Sequence, residues 1–386
     1  MIPYGRQEIT QADIDRVVEV LRSDYLTQGP VVPAFERAVA EHVHAEHAVA
    51  VNSATSALHL ACLALGLGPG GLLWTSPVTF VASANCALHC GADVDFVDID
   101  PETGNLSPDA LEKKLIAARA AGRLPDIVIP VHLAGQSCDM QAISRLADHF
   151  GVRVIEDASH AVGATYRGEP VGCCRYSDVC IFSFHPVKII TTGEGGMALT
   201  NDKAVARRME LLRSHGITRS PGEMTHAPDG PWYYQQIALG FNFRMTDLHA
   251  ALGISQLARL RAYVDRRHVL AARYDRLLDG LPVRPLRQCP DGRSSFHLYV
   301  VRVLLSGGAC SRDALFAHLR ASGIGVNLHY IPVYLQPWYR QIGFARGLCP
   351  EAEAYYAQAV TLPLHPSLTD AQQDHVVASL REAAFQ

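Results

Sequence analysis

The hydrophobic pattern opens with a helix. After Thr10-Gln11-Ala12-Asp13, a polar run with the form of an N-cap, Ile14, Val17, Val18 and Leu21 recur at i, i+3, i+4 and i+7, the spacing that aligns one helical face. Asp24-Tyr25-Leu26-Thr27-Gln28-Gly29-Pro30 reads as a turn-rich polar loop, and a second helix is predicted over about 32–43. Ala48 to Val51 is a short predicted strand running into Asn52-Ser53-Ala54-Thr55-Ser56, after which Leu58, Ala61, Cys62 and Leu65 mark another helical face. Further strands are predicted at 72–75, 94–97, 127–131, 152–155, 179–184 and 197–200, with helical segments between most of them. Strands alternating with helices predict an α/β fold with a mostly parallel, helix-covered sheet.

The pattern changes after residue 246. A long helical run to about 278, with Ala-rich and Arg-rich faces, leads to a predicted strand at 296–303, a helix at 311–322, a strand at 325–331, a Pro/Tyr-rich loop and a final helix at 370–384. That order suits a smaller C-terminal α+β domain. The expected division is a large domain over 1–250, with a linking helix and small domain over 251–386. At 386 residues and 48% hydrophobic content the chain is large enough for two cores.

Charge and composition narrow the partners. Lys and Arg total 34 against 38 Asp and Glu, a net charge of −4, and no basic block stands out, so no nucleic-acid partner is expected. No apolar stretch approaches the roughly 18 to 20 residues that span a bilayer. Met1-Ile2-Pro3-Tyr4-Gly5 lacks the regions of a signal peptide. A cytoplasmic protein without a membrane partner is the expectation. The ten cysteines form no Cys-x-x-Cys pair and read as reduced packing residues. His42-Val43-His44-Ala45-Glu46-His47 reads as the solvated end of a helix rather than a metal site.

Four places carry candidate chemistry. Lys188 ends Ser183-Phe184-His185-Pro186-Val187-Lys188, an apolar stretch followed by Gly193-Glu194-Gly195-Gly196. Lysine is seldom buried unpaired, and an amine held out of water loses its proton readily and becomes a nucleophile toward carbonyls. Val152 to Ile155 delivers Asp157 and His160 at the carboxyl end of a strand, where open α/β sheets bind ligands. The Ser/Thr run at 53–56 sits at a helix start, whose free amides and dipole favour an anion. Phe80 follows the 72–75 strand and is either core or a platform for a planar ring. An anion site, a flat neighbour, a carboxylate for a pyridine nitrogen and an amine for an aldehyde are together what pyridoxal 5′-phosphate requires.

With these residues in place, the chain resembles the sugar-nucleotide aminotransferases of the DegT type, pyridoxal-phosphate enzymes of fold type I. The resemblance covers nearly the whole length. Its motifs are Asn52 to His59, Glu156-Asp157-Ala158-Ser159-His160-Ala161, Ser183 to Lys188, and Gly240-Phe241-Asn242-Phe243-Arg244-Met245-Thr246-Asp247-Leu248-His249-Ala250-Ala251. It implies a seven-stranded, mostly parallel sheet. It also implies that Lys188 binds the cofactor aldehyde and acts as catalytic acid and base, with Asp157 at the pyridine nitrogen and Phe80 stacked on the ring. Ala54 and Thr55 would bind the phosphate with the Ser183 hydroxyl, His160 would lie near the ring, and Asn242 would reach the neighbouring subunit's cofactor in a homodimer with shared sites.

Three further segments, Ile2 to Gln7, Leu26 to Pro30 and Asn327 to Pro337, resemble the branch of that family that makes UDP-4-amino-4,6-dideoxy-N-acetyl-β-L-altrosamine for pseudaminic acid. That similarity implies a UDP-linked 4-keto-6-deoxy-N-acetylhexosamine as substrate and L-glutamate as amino donor. Tyr4, Asp24, Thr27, Asn327, Leu328, His329 and Tyr330 would line the sugar-nucleotide pocket. Another nucleotide-sugar 3- or 4-aminotransferase stays open as an alternative, as does a non-catalytic cofactor-binding regulator. A dehydratase on the same fold is associated with histidine at the position of Lys188. Gly71 departs from the family, whose members usually carry an acid before the 72–75 strand, and this bears on local stability rather than chemistry.

Overall fold

A computed structural model describes residues 1–304 and 310–384. Its first elements follow the apolar spacing: a short strand β1 (Ile2–Pro3), helices α1 (Gln11–Leu21) and α2 (Val31–Val43), strand β2 (His47–Val51) and helix α3 (Ala54–Ala64). The Thr10 backbone N–H and hydroxyl both donate to Asp13 Oδ2, closing the first turn of α1. The same buried carboxylate accepts from Gln256 and Arg259, so one acid both caps α1 and fastens it to the 247–257 helix.

Strands β3 (Leu72–Thr75), β4 (Asp93–Phe96), β5 (Ile127–Ile129) and β6 (Arg153–Asp157) complete the first half of a seven-stranded sheet. Its order is β2, Gly196–Thr200, Val179–Ser183, β6, β5, β3, β4. Every neighbouring pair is parallel except those made by Gly196–Thr200, which runs antiparallel to both its neighbours. The central strands are buried along their whole length, as a sheet covered on both faces requires. At the start of β3, Leu72 N–H donates to Asp126 Oδ2 at 2.8 Å, so a carboxylate from residue 126 serves the strand start beside Gly71.

A three-stranded antiparallel sheet of Val283–Pro285, Tyr299–Val303 and Ala359–Leu362 carries a separate core with the helices Arg312–Ala321 and Asp370–Ala384. The helix Leu260–Leu277 joins the two cores. Leu260, Tyr263 and Val264 pack with α2 and the Val179–Ser183 strand, while Leu270, Ala271 and Tyr274 pack with the C-terminal sheet. The chain's start returns to this region, because β1 pairs in parallel with Ile324–Gly325 and Leu364 N–H donates to the Tyr4 carbonyl.

Three elements differ from the sequence reading. The run at 246–278 is two helices, Asp247–Leu257 and Leu260–Leu277, broken at Arg259, whose backbone is not helical. Neither Gly nor Pro marks the break; Arg259 is held there by Asp13 and by the Tyr263 hydroxyl. The strand expected at 325–331 is only Ile324–Gly325, and of the residues beyond it Asn327 alone bridges, to Thr361. The strand expected from 296 starts at Tyr299, since Phe296 has a φ of 48° that no strand residue adopts.

Candidate active site

The carboxyl ends of β6 and the Val179–Ser183 strand open into a cavity of about 670 Å³. Asp157, the last residue of β6, is 5% exposed. Its Oδ2 accepts the Ser83 hydroxyl at 2.6 Å and its Oδ1 accepts the Ser159 N–H at 3.1 Å. A carboxylate only accepts, so the Ser83 proton is committed to it, and the Thr79 hydroxyl, 2.7 Å from Ser83 Oγ, must donate to Ser83. Thr79, Ser83 and Asp157 form a directed chain that holds the carboxylate to one orientation.

Lys188 stands opposite. Phe184, Ile189 and Ile190 are buried on either side of it and anchor the segment, and Lys188 N–H donates to the His185 carbonyl to close a turn. Its amine lines the cavity. Burial brings its pKa down to about 8, with the Asp157 charge working in the other direction. An ordinary lysine would be almost wholly protonated at that pH.

The third wall is the start of α3. Ser53 caps it by accepting the Ser56 N–H at 3.1 Å, which leaves the amides of Ala54 and Thr55 without helical partners. Gly196, paired across the sheet with Ser183, runs against this turn so closely that a Cβ there would meet the Ala54 nitrogen and the Ser53 backbone. Phe80 projects from the rim with 59% of its surface exposed.

The outer wall comes from the two ends of the chain. Asn327, Leu328, His329 and Tyr330 line the cavity together with Tyr4. His329 is fixed twice: its Nδ1 lies 2.8 Å from the Thr361 hydroxyl and its carbonyl accepts the Tyr355 hydroxyl at 2.7 Å. Its ring centroid is 5.3 Å from that of Tyr4. Burial, and then the nearby Lys188 charge, hold the His329 pKa down to about 3, so the imidazole is neutral at physiological pH.

The cavity therefore gathers twelve of the fifteen residues singled out from the sequence: Ala54, Thr55, Phe80, Asp157, His160, Ser183 and Lys188, with Tyr4 and 327–330. Asn242 is exposed and bridges Ser214, outside this chain's own cavity. Asp24 and Thr27 also lie outside this chain's own cavity. Both sit in an exposed loop, where Thr27 bridges Thr246 and the Leu26 carbonyl accepts the Asp247 N–H. Thr79 and Ser83 were missed. Their signal was present, as two hydroxyls four residues apart inside an apolar run, the spacing that puts them on one side of a turn.

The profile of the DegT/DnrJ/EryC1/StrS aminotransferase family matches residues 7–381. The chain belongs to this family. It is a pyridoxal-phosphate-dependent aminotransferase that acts on nucleotide sugars. Among curated relatives, the spore coat polysaccharide biosynthesis protein SpsC of Bacillus subtilis is 39% identical over 385 residues, 99% of this chain and 96% of that one. A UDP-4-amino-4,6-dideoxy-N-acetyl-β-L-altrosamine transaminase of Campylobacter jejuni is 38% identical over 372 residues, 95% and 93% of the two chains. Among solved structures, the putative sugar aminotransferase Spr1654 of Streptococcus pneumoniae in its PMP form superposes with a TM-score of 0.90 at 31% identity, covering 99% of both chains. Helicobacter pylori PseC, an aminotransferase of pseudaminic acid biosynthesis, gives 0.89 at 30% identity, with 100% and 99% covered. The cavity of this family member suits the cofactor: two unpaired amides at a helix start, a fixed carboxylate and an amine of lowered basicity face one space. Among the described residues no helix is long and apolar enough to cross a membrane.

Proposed function

We propose that the protein transfers an amino group from L-glutamate to a UDP-linked 4-keto-6-deoxy-N-acetylhexosamine, giving UDP-4-amino-4,6-dideoxy-N-acetyl-β-L-altrosamine on a route to pseudaminic acid. It would work in the cytoplasm as a homodimer with shared sites, each chain divided into a large and a small domain linked by the Leu260–Leu277 helix. The observation that carries the chemistry is the single cavity in which Lys188 and Asp157 meet the wall of Tyr4 and 327–330. The choice of sugar is supported by the Campylobacter transaminase and the Helicobacter enzyme among its relatives.

Pyridoxal phosphate, when bound, supplies an aldehyde that condenses with amines and a ring that takes up the electrons of a broken C–H bond. The chain's residues do the rest. The amides of Ala54 and Thr55 and the hydroxyl of Ser183 would bind the phosphate, joined by Asn242 from the neighbouring subunit. Phe80 offers an aromatic face to the ring. Asp157, held by Ser83 and Ser159, would keep a proton on the ring nitrogen. Lys188 would act as base and acid in each half-reaction, taking a proton from the donor's α-carbon in the first and delivering one to the sugar carbon in the second. His160 stays neutral beside it, because burial and the Lys188 charge both disfavour its cation.

The test is direct. The protein is incubated with pyridoxal phosphate, L-glutamate and a panel of 4-keto and 3-keto UDP- and dTDP-sugars, and products are read by mass spectrometry. Amination at C4 of the UDP-linked substrate is expected; amination of none of the panel would remove the aminotransferase reading of this cavity. A preference for a 3-keto sugar would move the protein to another branch of its family.

A further inference from the structure

Behind the outer wall lies a second directed chain, in which hydrogen-bond polarity is fixed by a backbone amide. Ala134 N–H donates to His160 Nδ1 at 3.3 Å. A ring nitrogen that accepts carries no hydrogen, so a neutral His160 must carry its single proton on Nε2. That nitrogen is 3.1 Å from the Tyr330 hydroxyl oxygen, so Nε2–H donates and Tyr330 Oη accepts. The hydroxyl's own hydrogen then has no acceptor in the chain among the described residues, while Tyr330 lines the cavity. We propose that Tyr330 is a hydrogen-bond donor to an oxygen of the bound ketosugar, its polarity set by the Ala134 amide acting through His160.

Three further observations agree. Ala134 holds a φ of 59° and ψ of 5° in the turn Leu133–Gly135, a left-handed conformation that an L residue adopts against a steric penalty. Its carbonyl accepts the Leu298 N–H on the other side, so the turn is clamped where its amide points at His160. His160 is boxed in from behind: its carbonyl accepts the Ser295 hydroxyl at 2.8 Å, and the His297 ring lies 4.5 Å away, centroid to centroid. Burial drives the His160 pKa well below its usual value and the Tyr330 pKa above its own, so the imidazole is neutral and the phenol protonated at working pH. Tyr330 would touch substrate; His160 and Ala134 are positioning residues.

The proposal deepens the aminotransferase reading and rests on it for the identity of the ligand, but its first test does not. In the full chain labelled with ¹⁵N-histidine, long-range ¹H–¹⁵N correlation spectra, assigned by loss of one ring in His160→Gln, should show His160 as the Nε2–H tautomer, unchanged between pH 6 and 8. The Nδ1–H tautomer, or a cation in that range, would overturn the proposal whatever the protein's substrate. The second test uses the loaded enzyme in single turnovers. Tyr330→Phe should slow the ketosugar half-reaction about tenfold or more, the loss expected of one missing buried hydrogen bond, and leave the glutamate half-reaction within about threefold. Equal losses in both half-reactions would show that Tyr330 only shapes the cavity. A wild-type protein that turns over glutamate but no ketosugar would count against the substrate, while the tautomer result would still stand.

Discussion

Ser83 donates its hydroxyl hydrogen to Asp157 across 2.6 Å, and both groups are buried. The proposed role of Asp157 at the ring nitrogen requires a carboxylate of fixed orientation, which this contact provides together with the Ser159 N–H. Ser83→Ala removes a hydrogen bond to a charged group, which is worth roughly 1.5–3 kcal/mol. Affinity for pyridoxal phosphate, titrated by absorbance, should fall by about ten- to a hundredfold, while Ser83→Thr, which keeps the hydroxyl, should recover most of it. Equal affinity in all three proteins would mean that Asp157 is oriented by Ser159 alone.

Lys188→Ala should abolish covalent capture of the cofactor. Borohydride treatment of the loaded wild type is expected to add the cofactor's mass to the peptide holding Lys188, and the variant should gain none. Turnover should drop by at least about 10²- to 10⁴-fold, the usual contribution of a positioned acid and base. A label on a different lysine would reassign the site.

The lowered basicity of Lys188 makes a pH prediction. Its pKa of about 8 reflects loss of hydration in the cavity, and only the neutral amine attacks an aldehyde. The rate of cofactor capture by the cofactor-free protein should rise about tenfold per pH unit below 8 and level off above it. Asp157→Asn removes the one charge that favours the ammonium form, so the midpoint should move to lower pH. A midpoint near 10 would show that the amine is solvated.

Gly196→Ala should be among the most damaging single methyl additions in the chain. The new carbon would meet backbone atoms of Ser53 and Ala54, which cannot swing aside as a side chain can. Overpacking of this kind costs about 1–3 kcal/mol or more. A lower Tm together with weaker binding of inorganic phosphate is expected; a lower Tm with phosphate binding intact would separate the packing role from the anion site.

How legible the site was in the sequence depended on how locally each residue is placed. Lys188, Asp157 and the 53–56 turn sit within a few residues of buried strands, so apolar runs ending in polar residues exposed them. The outer wall was harder. Residues 327–330 continue the alternation Ile324, Val326, Leu328, Tyr330 that reads as a strand, yet in the fold the strand ends at Gly325 and His329 is bonded to Thr361 and Tyr355. The helix break at Arg259 left no mark either, since long-range bonds to Asp13 and Tyr263 define it rather than a breaking residue. Asp24 and Thr27 rested on resemblance alone. They lie where a short bridge to Thr246 holds their loop, a pairing across more than two hundred positions that no local pattern encodes.

The parallel pairing of Ile2–Pro3 with Ile324–Gly325 ties together segments about 320 positions apart. Tyr4 therefore stands in the cavity wall beside residues 327–330 only when those segments have met. Without that meeting, the space in front of Lys188 and Asp157 would have one side open to water. The cavity's enclosure is thus a property of the whole tertiary structure: neither terminal segment makes that wall by itself.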